Sequence, residues 1–173
     1  GSWGGGMDRL EPKTSTFTHY TPTAEDADSL INPTVTSIVE DGHGGLWVGT
    51  LGGLEHFIPA TGKFTHVNSD PISVIYPADD GTLWIGTGAF SVTGKGLYQF
   101  DPATNTSKPM QPKEECFQAP NVSDILTDPQ GNLWIAYGGY GVTGGGIDRY
   151  NPKSGKCTHF DSGQTSDNQI TDN

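Results

Sequence analysis

The sequence predicts an all-β protein built from repeated four-stranded antiparallel sheets, and three observations predict it. A V-x-x-I-like pair is followed, nine residues beyond its Ile, by a Trp always preceded by Leu: Val35/Ile38/Trp47, Ile72/Ile75/Trp84 and Val122/Ile125/Trp134. Short runs beginning at Met7, Leu54, Leu97 and Ile147 are each followed five residues later by a proline, at Pro12, Pro59, Pro102 and Pro152. A further run starts five residues beyond each proline, at Phe17, Phe64, Ser107 and Cys157. With 25 Gly and 12 Pro among 173 residues, long helices are disfavoured, since each such residue weakens a helix interior.

Within one unit the elements follow in order. The V-x-x-I run is strand a. A glycine two residues before the Leu (Gly44, Gly81, Gly131) marks a tight turn into strand b, which carries Leu-Trp. Strand c holds GMDRL, GLEHF, GLYQF or GIDRY, and the turns PATGK and PKSGK lead into strand d as hairpin loops. Four short strands at a period of about 40–50 residues are the signature of a β-propeller blade. Such strands are unstable singly and must bury both sheet faces against neighbours, which the Leu-Trp pair helps to fill. A sandwich gives no reason for so regular a four-strand repeat.

The whole chain, 1–173, thus reads as one propeller region of about three and a half blades. A half blade of strands c and d occupies 1–20, blades occupy 35–67, 72–110 and 122–160, and 161–173 starts a connection to a further blade. Gly1 aligns with Gly49 and Ile170 with Leu30, so the repeat is cut mid-blade at one end and before strand a at the other. Propellers close with about four to eight blades. The expectation is a segment of a larger propeller, the remaining blades belonging to the same protein; the alternative is a homo-oligomer whose copies complete one another's blades.

Charge excludes one partner class. Nine Lys+Arg against 20 Asp+Glu give a formal net charge of −11, which repels rather than attracts the phosphates of nucleic acid. No apolar run reaches the ~18 residues of a membrane span, so no membrane insertion is expected of this segment. The glycine-rich loops lack the Lys-Ser/Thr of a phosphate loop, and no cofactor is expected.

Recurrence separates scaffold from site. Trp47, Trp84 and Trp134 recur as blade packing, and His19, His66 and His159 share one position of strand d as outer-strand pairing residues. His43 and His56 lack partners at metal-ligand spacing, and no metal site is expected. Asp41 and Asp128 head the a–b turn, with Ala78 in the other copy, and read as turn caps.

Two connections vary in length. From Trp to strand c the count is 7, 13 and 13, and from strand d to the next strand a it is 15, 5 and 12. Both connections lie on the same edge of an up-and-down sheet, so that edge is the candidate binding face. Its off-pattern residues are Trp3, Phe90, Lys95, Tyr137 and Tyr140, with Glu114 and Glu115 nearby. Aromatic rings there suit stacking on sugars or other flat apolar surfaces; the competing reading is that they pin long loops to the scaffold. Cys116 and Cys157 are a possible disulfide pair whose separation in space the spacing does not fix.

The repeated V-x-x-I-x-x-D-x-x-G-x-L-W-[IV]-G-T-x-x-G-G-[LI]-x-x-[FY]-x-P-x-[TS]-G-x-F closely resembles the two-component regulator propeller repeat, TVTSIVEDGHGGLWVGTLGGLEHFIPATGKFTHV being its cleanest copy. The departures are SKPM, which lacks the aromatic, and Ala136 in place of Gly. The resemblance implies large, often seven-bladed propellers in periplasmic or extracellular sensor regions of hybrid two-component systems, many responding to glycan fragments, and secreted or surface proteins without a kinase. It specifies blades and no binding site.

Three functions follow as expectations. The first is a non-enzymatic extracytoplasmic recognition segment binding a small-molecule or glycan ligand, or a protein partner, on the loop face. The second is a structural subunit of a surface layer or fibre. The third is a propeller lyase or glycosidase, against which stands the lack of a carboxylate or nucleophile–base pair outside the repeat; Arg9 and Arg149 occupy matching repeat positions and form no arginine cluster.

Overall fold

The computed structural model describes residues 1–90, 92–112, 116–139 and 144–161. It is all-β among these residues. A two-stranded antiparallel sheet is formed by β1 (Met7–Glu11) and β2 (Thr16–Tyr20). Three four-stranded sheets follow, each running in chain order: β3 (Val35–Glu40), β4 (Leu46–Thr50), β5 (Gly53–Ile58), β6 (Lys63–His66); β7 (Ile72–Pro77), β8 (Leu83–Thr87), β9 (Leu97–Asp101), β10 (Thr106–Pro109); β11 (Val122–Thr127), β12 (Leu133–Tyr137), β13 (Ile147–Tyr150), β14 (Cys157–Phe160). The chain divides into two compact units, Gly1–Ile75 and Tyr76–Asn173, where the sequence reads as one region.

In the first unit the core is Met7, Leu30, Val48, Phe57 and Phe64, with Tyr20, Val35 and Leu46 packed against it. Phe57 and Phe64 face each other across β5 and β6 with ring centroids 4.5 Å apart, and Tyr20 meets Phe57 edge-on at 4.8 Å. Trp47 is buried beside His56 at 4.6 Å. Strand a of the following sheet is tied in by side chains: Thr36 Oγ1 donates to the Ile72 carbonyl at 2.7 Å, and Ser37 Oγ accepts from the Ile75 N–H at 3.1 Å.

The second unit buries Leu83, Trp84, Ile85, Leu97, Phe100, Val122, Ile125, Leu133 and Ile135. Trp84 meets Tyr150 edge-on at 6.5 Å, and Phe117 meets the same ring at 5.2 Å. Trp134 is only half-buried, stacked on Phe160 at 5.7 Å with the Arg149 guanidinium over both rings. That guanidinium lies within cation–π distance of both rings.

Turn chemistry sets the strand register. Asp41 Oδ1 accepts the N–H of His43 and of Gly45, and Asp41 Oδ2 lies 2.8 Å from His56 Nε2. Asp128 accepts the N–H of Gln130 and of Asn132, the Asn132 side-chain amide and the Trp134 indole N–H. One carboxylate therefore closes the turn and orients the indole. Asp128 is lowered to about 2 by Asn132 and Trp134; in Asp41, hydrogen bonds from His56 and the turn outweigh the raising effect of burial and give the same value. Where Ala78 stands instead, Asp80 Oδ1 takes over by accepting from the Thr82 N–H and hydroxyl.

The glycine before strand c has a steric reason. A Cβ on Gly53 (φ 143°) would lie 1.9 Å from the Asn68 carbonyl oxygen, and on Gly6 or Gly146 2.2 Å from that of Tyr20 or Phe160. Only glycine lets the end of strand d come this close.

Candidate functional site

Among the described residues, two b–c loops are fixed to the start of the next strand a. In the first unit Gly6 N–H donates to the Pro33 carbonyl at 2.8 Å, and the Val35 N–H donates to the Ser2 carbonyl at 3.3 Å. Ser2 and Gly6 bridge each other, leaving Trp3 at the tip with 63 % of its surface exposed. In the second unit Gly96 N–H donates to Pro120 at the same 2.8 Å. Asn121 then holds the loop from both sides: its Oδ1 accepts the Gly94 N–H and its Nδ2 donates to the Val92 carbonyl.

Phe90 sits at the tip of this second loop, inside a turn closed by the Val92 N–H on the Ala89 carbonyl. Its φ is 49°, a left-handed conformation that costs an L-residue about 1–2 kcal/mol, and its ring is 41 % exposed. An apolar ring held outward at a backbone cost is a candidate contact point. The exposed Lys95 lies on the same loop, its N–H held by Thr87 Oγ1 at 2.7 Å. The structure thus brings Phe90, Val92 and Lys95 onto one loop, while Trp3 belongs to the other unit. Tyr140, Glu114 and Glu115 lie outside the described residues.

Tyr137 requires a correction. It is not a loop aromatic: it ends β12 at the position held by Thr50 and Thr87 in the other copies and is buried. Its hydroxyl donates to Asp148 Oδ2 at 2.7 Å. Burial first, then the Asp148 charge, push the phenol well above the ordinary tyrosine range. Cys116 and Cys157 form a disulfide that ties the incoming connection to β14.

Sequence reasoning missed the carboxylates of strand c. Asp8, Glu55 and Asp148 pair in register with His19, His66 and His159. The ring Nδ1 of His66 lies 2.8 Å from Glu55 Oε1, and that of His159 2.7 Å from Asp148 Oδ1. Glu55 and Asp148 are fully buried, and each accepts a main-chain N–H from the connection entering its sheet, Ile31 at 3.0 Å and Phe117 at 2.7 Å. Burial raises the Glu55 carboxyl above its ordinary range, and Glu55 Oε2 has no partner among the described residues. The acidic second residue of MDRL, LEHF and IDRY was the available signal.

Cys116, Asp148 and Cys157 place their ligand-type atoms within 4.8 Å of one another, but the donor set does not suit a metal. Both sulfurs are joined to each other, and the carboxylate already accepts from Phe117, Tyr137 and the His159 side.

The model of the two-component regulator propeller family matches residues 29–52, 66–89 and 117–139. Those three stretches match the two-component regulator propeller repeat. A search of curated proteins gave no match. Among solved structures it is similar to the extracellular domain of a putative hybrid two-component system from B. thetaiotaomicron, with a TM-score of 0.70 and 28% identity over 89% of this chain and 20% of that one. A second such extracellular domain from B. thetaiotaomicron gives 0.64 and 21%, covering 92% of this chain and 22% of that one. PorZ, a bacterial surface component of the type-IX secretion system of Porphyromonas gingivalis, gives 0.50 and 21%, covering 73% and 18%. The latter two likenesses concern the fold alone. The chain spans about a fifth of the length of these proteins. Its blades are those of a β-propeller.

Proposed function

We propose that this chain is a non-enzymatic recognition segment of an extracytoplasmic sensor-type propeller, binding a glycan, another small molecule or a protein partner through its b–c loops. The observation that carries the reading is Phe90: a partly exposed residue in a left-handed conformation, in a loop fixed by Asn121 and Thr87 that also carries the exposed Lys95. A preorganised aromatic tip on a loop that also carries a lysine suits a flat, polar-edged ligand and binds at little ordering cost. Trp3 offers the same kind of contact in the first unit. The Cys116–Cys157 disulfide supports a periplasmic or extracellular location, where such bonds persist. The buried carboxylates Glu55 and Asp148 support a non-catalytic reading, since both accept main-chain N–H groups within the scaffold.

Titration of a panel of neutral and acidic oligosaccharides, followed by calorimetry and tryptophan fluorescence, tests this. Phe90→Gly removes the ring and the backbone cost together, so it should fold at least as stably as the parent and bind about tenfold more weakly, one aromatic stack being worth about 1 kcal/mol or more. Trp3→Ala should lower any fluorescence response. Equal binding by both variants, or no response to glycans or protein partners, overturns the proposal.

A further inference from the structure

The outer face of the β1–β2 hairpin repeats, residue for residue, a surface that is filled elsewhere in the chain. Asp8↔His19 and Leu10↔Phe17 occupy the register of Glu55↔His66 and Phe57↔Phe64, and of Asp148↔His159 and Tyr150↔Cys157. Phe57 and Phe64 are 1 % and 2 % exposed, whereas Leu10 and Phe17 are 49 % and 69 % exposed. Asp8 and His19 are likewise half exposed, where Glu55 and Asp148 are fully buried.

What fills the other two copies is a connecting segment together with a neighbouring sheet, which sets Tyr20 on Phe57 and Phe64 and Trp84 on Tyr150. Across β5–β6 runs the stretch leading into β3: Leu30 is buried on Phe57 and Phe64, the Ile31 N–H enters Glu55, the Asp28 carbonyl accepts the Phe64 N–H at 2.8 Å, and the Ala27 carbonyl lies 2.9 Å from His66 Nε2. Across β13–β14 runs the stretch leading into β11: the Phe117 N–H enters Asp148, its ring covers Tyr150, and Cys116 bonds Cys157. In both, a residue packs on the hairpin while the next main-chain N–H reaches the carboxylate.

The remaining sheet supplies the control. β9–β10 receives the short connection 67–71, and its equivalent pair is Tyr98↔Pro109, with neither carboxylate nor histidine. The carboxylate–histidine pair therefore accompanies a long incoming segment and is absent without one. Asp8–His19 carries the pair, with an open apolar face beside it.

We infer that Asp8, Leu10, Phe17 and His19 form a docking site for the connecting segment of another repeat of this type: an extended peptide that sets an apolar side chain on Leu10 and Phe17 and donates its next N–H to Asp8. The edge of β2 adds main-chain pairing, as β6 does with Asp28. This inference is independent of the ligand proposed for the b–c loops.

The Cys157 register gives the test, because Phe17 stands at the same position. Phe17→Cys protein, with the native disulfide intact, is equilibrated in a mild thiol–disulfide buffer with the synthetic peptide QPKEECFQAP, the sequence of residues 111–120. Thr18→Cys, on the opposite face of the same strand, is the reference. Mixed disulfide at position 17 should exceed that at position 18 by about tenfold, the equilibrium weight of about 1.4 kcal/mol of docking. Replacing the peptide's Phe by Pro removes the donated N–H and should erase most of that advantage, as should Asp8→Ala in the Phe17→Cys protein. Equal trapping at both positions overturns the site. Undiminished trapping of the Pro peptide overturns the role of Asp8.

Discussion

Replacing Asp148 by alanine removes one acceptor and strands three donors at once. The Phe117 N–H, the Tyr137 hydroxyl and the His159 ring each lie 2.7 Å from its oxygens, and the carboxylate is fully buried. Removing one side of such a buried polar cluster costs about 3–5 kcal/mol. Tyr137→Phe deletes a single hydroxyl-to-carboxylate bond and leaves the ring in place, at about 1.5–3 kcal/mol. In the double variant the hydroxyl no longer exists to be stranded, so the loss stays near that of Asp148→Ala alone, about 2 kcal/mol short of the sum. Urea unfolding followed by circular dichroism at pH 7, without reductant, measures all four corners of the cycle. Amide exchange at Phe117 should accelerate in both Asp148→Ala proteins and much less in Tyr137→Phe. Additivity within about 0.5 kcal/mol would refute a shared cluster.

Two further outcomes follow. Opening the Cys116–Cys157 bond, which spans 41 residues, by paired serine substitution should destabilise the fold by about 4 kcal/mol on the chain-entropy account, read as a lower urea midpoint. The a–b turn carboxylates set an acid limit. Asp41 and Asp128 are lowered from 3.8 to about 2, so their contribution is present above about pH 4 and lost as pH falls to about 2; the urea midpoint should drop across that window, and less steeply in Asp41→Ala.

The blade elements were legible because their information is local. Fixed counts from Ile to Leu-Trp, and separately from the start of strand c to Pro, place the strands, and Pro12 and Pro59 sit where a turn wants a preset φ. The residue that closes the c–d turn shows the limit of glycine as a marker. Its backbone is left-handed in all four copies, yet it is Gly only at Gly62 and Gly155 and is Ser15 and Asn105 in the others. The candidate site was legible in part. Phe90 and Lys95 lie on the loop that spacing singled out, but Tyr137 was read as a loop residue when it ends a strand. Nothing in a linear count reveals that its hydroxyl meets a carboxylate eleven residues on, across the sheet. The same holds for Glu55 and Ile31, whose contact depends on where a long connection comes to rest.

Asn121 makes neighbouring loops tenants of one post. Its side chain grips the stretch around Val92 and Gly94, while its own carbonyl accepts the Gly138 N–H at the root of the next loop. Gly94 has no room for a side chain, a Cβ there lying 2.3 Å from the Thr87 oxygen and 2.4 Å from the Pro120 oxygen. The two holds are separable: Asn121→Ala would release the stretch at Val92 and Gly94, which the side chain grips, and leave the main-chain carbonyl on the Gly138 N–H in place.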